Sequence, residues 1–301
     1  MLNFAARAPN LNAMSIAGTA QGPGNGVRLF CMRDSSATDP QIQTIQPWGF
    51  RLGVDMITVP GRILNNPKVI YGQRKEERPT MGSWNLRQTQ FFKPGRFSSW
   101  QVLVIDGDRG RALRNVDGAE SLFTKLGNSL KNYGLQMGQR LPTQTVSLSA
   151  LVEANRPTND SALEQAFRAA LGNNVNMLFI VLPAFDRWLY ARIKYYADIK
   201  AGIHTINSIG SKLEKENGQD MYMGNLALKF NIKGGGINHT VRETLAKPLD
   251  SKTMFVGIDV THPSPGSSEG APSIACVVAS VDEHLSQWPG SIRAQTGRQE
   301  M

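Results

Sequence analysis

The sequence predicts an α/β protein built on a parallel sheet, and two observations carry this prediction. Short apolar runs alternate with stretches that place apolar residues at helical spacing, from residue 98 to about residue 232. Each predicted strand carries apolar residues on both of its faces, which is typical of strands covered by helices on both faces of a parallel sheet. We therefore expect a Rossmann-like domain, and the 41% hydrophobic content is sufficient for its core.

The individual elements follow from periodicity and from turn residues. Leu122, Leu126 and Leu130 recur at helical spacing, whereas residues 176–182 form a continuous run that Pro183 stops. The triplet from Gly234 ends the last helix. The predicted order is strand 101–106, helix 119–133, strand 145–148, helix 160–171, strand 176–182, helix 187–200, strand 204–208 and helix 219–232.

The segments on either side of this alternation have less core of their own. Residues 1–47 are rich in Gly, Pro, Asn and Ser, a composition typical of an incomplete domain or a tail. Prolines break the apolar stretches of residues 49–100, which indicates a linker laid across other domains. Two more buried strands are predicted over 254–260 and 273–281, and two strands cannot make a domain alone.

The charge and the cysteine content of the chain indicate which partners and which cellular compartment to expect. The formal net charge is +9, and the pI is about 9.7; such a surplus favours an anionic partner, with nucleic acid first. Between Arg62 and Arg114 there are eleven Lys or Arg against four acids, although a solvated basic surface explains that stretch equally well. No run approaches the roughly 18 to 20 apolar residues of a membrane span. Cys31 and Cys276 form neither a metal motif nor a disulfide framework, as expected in the cytosol or nucleus.

Two pairs of residues are candidates for holding a phosphate. Tyr190 and Lys194 are four residues apart, as are Lys229 and Lys233, so each pair shares a helix face. Ligands of doubly wound sheets bind at the carboxyl ends of the strands, and Tyr190 follows such an end at Pro183. The alternative is a set of ordinary exposed lysines beside a packing tyrosine.

A carboxylate near the end of the chain is a candidate metal ligand. Asp259 is predicted at the end of a buried strand, where it can bind a divalent cation or cap the turn before Pro263. Two-metal cleavage of RNA needs several clustered carboxylates. The acids that follow Asp259 are Glu269, Asp282, Glu283 and Glu300.

Eight stretches of the sequence together match the signatures of one protein family: 60–64, 71–72, 84–85, 178–183, 225–235, 255–263, 272–275 and 298–300. They resemble signatures of eukaryotic Argonaute proteins, and they occur in the order of that family. The resemblance implies the end of a PAZ domain over 1–35, the second linker over 36–95, a MID domain over 96–250 and the start of a PIWI domain over 251–301. Its general character is closest to filamentous-fungal members.

The resemblance also implies a function and a set of site residues. Argonautes bind the 5′ phosphate of a small guide RNA, which pairs with a target RNA, and partner proteins of a silencing complex are possible. Animal members typically have glutamine at the strand position where this chain reads His204-Thr205-Ile206. The implied phosphate contacts are Tyr190, Lys194, His204 or Thr205, Lys229 and Lys233. The implied first-base loop is Ala184, Phe185, Asp186, Arg187 and Trp188.

Two enzymatic alternatives remain to be weighed. By the resemblance, Asp259 matches the first of four metal-binding residues of the PIWI site. Magnesium-dependent RNA cleavage is therefore expected of a full-length parent and not of this chain. Guide binding by this chain is expected to need no cofactor. A nucleotide-dependent oxidoreductase would need a Gly-x-Gly-x-x-Gly turn after the strand 101–106, and that turn is missing.

Overall fold

The computed structural model describes residues 8–11, 58–108, 110–241 and 252–300. The chain divides into two compact units, Met1–Asn65 and Asn66–Met301. The described residues of the first unit, 8–11 and 58–65, are exposed, and the PAZ remnant predicted over 1–35 lies outside the described residues apart from 8–11. Every strand and helix discussed below belongs to the second unit. In the described parts of the chain, no helix is both long and apolar enough to span a membrane.

The elements of the second unit are named here in chain order. The strands are β1 (Val69–Ile70), β2 (Glu76–Glu77), β3 (Arg96–Asp106), β4 (Gln136–Arg140), β5 (Gln144–Ser147), β6 (Met177–Leu182), β7 (His204–Ile209), β8 (Val256–Thr261), β9 (Ser273–Ala279) and β10 (Gly290–Gln295). The helices are α1 (Ala119–Asn132), α2 (Arg156–Gly172), α3 (Arg187–Lys194), α4 (Gly210–Leu213) and α5 (Gln219–Lys233). A π-helix, Tyr195–Ala201, continues α3.

The centre of the unit is a parallel sheet, which confirms the predicted fold class. Its strand order is β4-β3-β6-β7, and every pairing in it is parallel. The short β4 pairs with the first half of β3, and β5 pairs with the second half. Helices cover both faces of this sheet, as in a Rossmann-like domain.

Side-chain alternation along β6 explains why that strand is apolar throughout. Met177, Phe179 and Val181 point into a core with α1 and α5, whereas Leu178, Ile180 and Leu182 point into a core with α2 and α3. All six side chains are buried. Burying such a side chain stabilises the fold by about 1.5 to 3 kcal/mol, so both cores fix the sheet between its helices.

The boundaries of three elements differ from the predictions for local reasons. β3 begins five residues before the predicted 101, in a stretch of alternating polar residues. α2 begins at Arg156, earlier than predicted, with a proline in its first turn. The predicted helix 187–200 is two helices, because the chain passes from α to π geometry after Lys194; Gly202 then ends it with a φ of 63°.

The C-terminal residues form a second sheet that corrects the prediction of two buried strands. Three strands, β10-β9-β8, pair in antiparallel fashion within residues 252–300. β10 was not predicted, because its Gly-Ser-Ile-Arg-Ala-Gln sequence has no apolar run. β8 lies at the sheet edge, with Val256 48% and Ile258 63% exposed. The prediction of a strand from its apolar sequence was therefore correct, and the prediction that this strand is buried was wrong.

The segment predicted to be a linker packs against the end of the α/β domain. Ile70 pairs with Thr240, and Lys93 pairs with Ile237. The Trp84 indole N–H donates to the Tyr71 hydroxyl at 2.7 Å, and the ring of Tyr71 lies 5.6 Å from that of His239. Aromatic contacts and backbone pairing therefore hold residues 69–93 against residues 237–240.

Candidate phosphate-binding site

The predicted first-base loop joins β6 to α3, and capping sets its geometry. The Asp186 carboxylate accepts a hydrogen bond from the Leu189 N–H at 2.8 Å, which starts α3. Trp188 is partly buried against the core on the α2 side, whereas Ala184 and Arg187 are exposed. Two residues of this loop, Asp186 and Trp188, thus have evident structural roles.

Two exposed aromatic rings stand next to each other at the start of α3. Phe185 is 65% exposed and Tyr190 is 41% exposed, and their ring centroids are 6.2 Å apart. Exposed aromatic rings side by side offer a surface on which a nucleobase can stack. Tyr190 shares its helix face with Lys194, one turn further along.

The Lys194 ammonium is held by β7. Its Nζ donates a hydrogen bond to Oγ1 of Thr205 at 2.8 Å and lies 4.0 Å from the nearer carboxylate oxygen of Asp198. Thr205 is buried, with 1% of its surface exposed. The threonine therefore fixes the position of the lysine's charge, and an approaching anion would meet an ammonium that is already oriented.

A cleft of about 680 Å³ opens at the amino ends of the strands, where β7 begins. His204, the first residue of β7, and Lys233, the last residue of α5, both line it. So does Arg96, the first residue of β3, whose N–H donates to the Gly234 carbonyl at 3.0 Å. The ends of three different elements thus bring basic side chains to one cleft.

The basic groups of this cluster are close enough to perturb one another. Partial burial lowers the pKa of Lys194, and the positive charge of Lys233 lowers it further, while Asp198 acts in the opposite sense. Partial burial also lowers the pKa of His204; Lys233 and Lys194 add to this effect, and Asp198 again opposes it. An anion in the cleft would relieve this repulsion.

The position of the cluster corrects one expectation. Lys194, Thr205, His204 and Lys233 meet at the amino ends of the strands, not at the carboxyl ends that are usual for doubly wound sheets. The reason is that α3 and α5 run back across the sheet, which carries their second halves to the amino edge. Lys229 is exposed one turn before Lys233, on the same helix face.

Asn231 positions the cluster and was missed by sequence reasoning. Its side-chain oxygen accepts from the Gly95 N–H at 2.6 Å, and its amide donates to the Lys93 carbonyl at 3.2 Å and to Asn238 Oδ1 at 3.0 Å. A Cβ on Gly95 would lie 2.6 Å from the Asn231 carbonyl. The end of α5, which carries Lys233, is thereby locked against the start of β3.

Asp259, the candidate metal ligand, lies on the second sheet and contacts its own backbone neighbour. It is exposed on β8, opposite Cys276, and its Oδ1 accepts the N–H of Val260 at 2.9 Å. In the parts of the chain that the structure describes, no group of three or more His, Cys, Asp or Glu side chains is arranged to hold a metal. The described residues therefore do not fit a magnesium ion at Asp259.

Two of the other acids near the C-terminus, Asp282 and Glu300, contact nearby residues of the same sheet region. Burial tends to raise the pKa of Asp282, but hydrogen bonds from Gln287, His284 and Ser286 outweigh it and lower the pKa. Glu300 contacts Nε2 of His262 at 2.6 Å. These carboxylates stabilise a turn and a side-chain contact at separate places in the C-terminal sheet.

Comparison with known proteins assigns the class of this arrangement. Residues 177–301 match the family model of the Piwi domain. The structure superposes on the MID-PIWI domains of the N. crassa QDE-2 Argonaute with a TM-score of 0.56 and 28% identity, over 68% of this chain and 54% of that one. The fold is therefore that of a MID-PIWI type of protein.

The sequence is also similar to those of eukaryotic Argonaute proteins. The chain is 32% identical to Protein argonaute 2 of Oryza sativa subsp. japonica over 85% of its own length and 25% of the relative. It is 30% identical to Protein argonaute of Schizosaccharomyces pombe over 88% of its length and 30% of the relative. The chain is a homologue of the eukaryotic Argonaute proteins, and it spans about a quarter of the length of the relatives it matches.

Proposed function

We propose that this chain binds the 5′-phosphorylated end of a small guide RNA in RNA-mediated silencing. The observation that carries the proposal is a cluster of basic groups: His204 and Lys233 line one cleft, and Lys194, which Thr205 orients, lies close enough to both to interact with their charges. The relationship to Argonautes supports it, and so does the fold shared with a Kluyveromyces polysporus Argonaute solved with a guide RNA, at a TM-score of 0.63 and 20% identity.

The charge of a terminal phosphate suits this cluster better than an internal phosphodiester does. A phosphate monoester carries about −1.5 to −2 charges near neutral pH, whereas a phosphodiester carries a single charge. Hydrogen bonds from ammonium groups to phosphate are charge-assisted and about twice as strong as neutral ones. The mutual repulsion of Lys194 and Lys233 adds to the preference, because the dianion relieves more of it.

The first nucleobase would stack on Tyr190, beside Phe185. Such stacking contributes about 1 to 3 kcal/mol per base and depends little on which base is present. Any preference among bases would come from the loop of residues 184–188. Pairing of the bound guide with a target RNA, recruitment of silencing-complex proteins and a filamentous-fungal ancestry are parts of the same proposal.

The proposed function is tested by comparing two RNAs that differ in one group. Titration with a 5′-phosphorylated RNA is expected to give at least about tenfold tighter binding than with the same RNA bearing a 5′ hydroxyl, since one charge-assisted hydrogen bond contributes about 1.5 kcal/mol or more. A 3′-phosphorylated RNA of equal charge is the control for general electrostatic attraction. Equal affinity for the three RNAs would contradict the proposal.

We further propose that the chain does not cleave RNA by a two-metal mechanism. Such cleavage needs carboxylates that hold two ions about 4 Å apart, and Asp259 has no carboxylate partners of this kind among the described residues. Incubation with a guide, a complementary target and magnesium is expected to leave the target intact. Cleavage at one fixed distance from the guide's 5′ end, lost in Asp259→Ala, would overturn this.

A further inference from the structure

His204 brings a titratable side chain into the proposed phosphate cleft. It lines the cleft at the first position of β7, next to Thr205, which contacts Lys194. Its ring lies 6.3 Å from that of Phe97, in an edge-to-face arrangement. Unlike a lysine or an arginine, a histidine has an ordinary pKa near neutral pH, so a bound anion can change the charge of this side chain.

We propose that binding of a terminal phosphate in this cleft is coupled to the uptake of one proton by His204. The inference rests on the proposed function and adds a pH dependence to it. The proton comes from solvent and adds to the free ring nitrogen of the imidazole, no other bond forms or breaks, and the ring becomes an imidazolium beside the phosphate.

The groups around His204 explain why the proton is absent before binding. Lys233 reaches it from α5, Arg96 lines the same cleft from β3, and Lys194 acts from α3. Asp198, on the π-helix, is the acid that opposes them. Partial burial is the largest effect that lowers the pKa of His204, and Lys233 and Lys194 lower it further against the opposing effect of Asp198, so the empty cleft favours the neutral ring.

A bound phosphate reverses this balance. Its dianion outweighs the positive charge of Lys233 and Arg96 at the ring, so the imidazolium becomes the favoured form. Protonation also changes the hydrogen bonds that the ring can make. Neutral imidazole has one donor and one acceptor nitrogen, whereas imidazolium donates from both and presents no lone pair to a phosphate oxygen. A 5′ hydroxyl carries no charge, and it offers one oxygen as an acceptor where the phosphate offers several.

Linkage sets the sign of the expected pH dependence. The relevant pH window extends from the pKa of His204 in the empty cleft to its higher pKa in the complex. Within this window binding takes up a proton, so the affinity falls as the pH rises, by up to about tenfold per pH unit. The phosphate's own second ionisation, near about pH 6, acts in the opposite sense at acid pH. It is a property of the ligand and is identical for every protein variant.

The test compares His204→Gln with the unaltered chain. Glutamine keeps a hydrogen-bond donor and removes the titration. Affinity for 5′-phosphorylated RNA is measured between pH 6 and 8.5 by titration, with His262→Gln, in the C-terminal sheet beside Glu300, as the matched control. The fall in affinity with rising pH is expected to persist in the control and to flatten in His204→Gln. In addition, NMR titration is expected to show the His204 pKa rising by at least about one unit with saturating inorganic phosphate.

The outcomes separate this inference from the proposed function. If 5′-phosphorylated RNA binds more tightly than 5′-hydroxyl RNA, but His204→Gln keeps the full pH slope or phosphate leaves the His204 pKa unchanged, proton coupling is refuted while phosphate recognition stands. If the two RNAs bind equally at every pH, the proposed function fails, and the coupling fails with it.

Discussion

Replacing Lys233 by alanine is expected to weaken binding of 5′-phosphorylated RNA by about 1.5 to 3 kcal/mol, the range for hydrogen bonds to charged groups, and Lys194→Ala is expected to do the same. Both ammonium groups belong to the basic cluster, in which the positive charge of Lys233 lowers the pKa of Lys194. Their removal takes away the attraction that a dianion would feel. The loss should be confined to the phosphate, so the affinity for 5′-hydroxyl RNA should hardly change.

Lys68→Ala is the matched control for these substitutions. Lys68 is a partly exposed lysine paired with Glu76 at 2.9 Å, on the basic linker and not among the residues that line the cleft. Its loss should be small and visible mainly at low salt, because exposed charges are screened; a corresponding change at Lys75 should behave similarly. Thermal unfolding of each variant checks that the fold is intact. Equal losses for Lys68, Lys194 and Lys233 would instead indicate a diffuse basic surface.

Apolar periodicity predicted the parallel sheet because burial controls both the pattern and the fold. β6 is apolar at all six positions since each face of it meets a core. The same rule could not find β4, whose Gln-Met-Gly-Gln-Arg sequence lies at the sheet edge and is largely exposed. Backbone pairing with β3 defines that strand, and backbone pairing leaves no pattern in the side chains.

The helix faces that carry the candidate lysines could be predicted, but the end of the sheet at which they lie could not. The spacing of four residues correctly placed Tyr190 with Lys194, and Lys229 with Lys233, on shared helix faces. The predicted end of the sheet was wrong. The general rule for doubly wound sheets places ligands at the carboxyl ends of the strands, whereas the basic cluster lies at their amino ends. Arg96 joins the cleft through the pairing of its backbone with Gly234, a contact between distant segments that no local pattern reports.

Asn231 is the residue whose replacement should cost most stability among those that support the cleft. Its side chain is fully buried, with 0% exposed, and it satisfies the buried Gly95 N–H as well as the Lys93 carbonyl and Asn238. Removing one partner of a buried hydrogen bond costs about 1 to 3 kcal/mol for each group left unsatisfied. We expect Asn231→Ala to lower the free energy of unfolding by about 3 kcal/mol or more, measured by urea denaturation.

Asn225→Ala provides the matched comparison on the same helix. Asn225 is exposed on α5, so its replacement should change stability by less than about 0.5 kcal/mol, as is usual at surface positions. The two variants share the change in helix propensity and differ in the buried hydrogen bonds. Since Asn231 ties the end of α5 to the start of β3, Asn231→Ala should also reduce the preference for 5′-phosphorylated over 5′-hydroxyl RNA under conditions where it remains folded. Equal stability losses for the two variants would show that the Asn231 contacts do not hold this edge of the domain together.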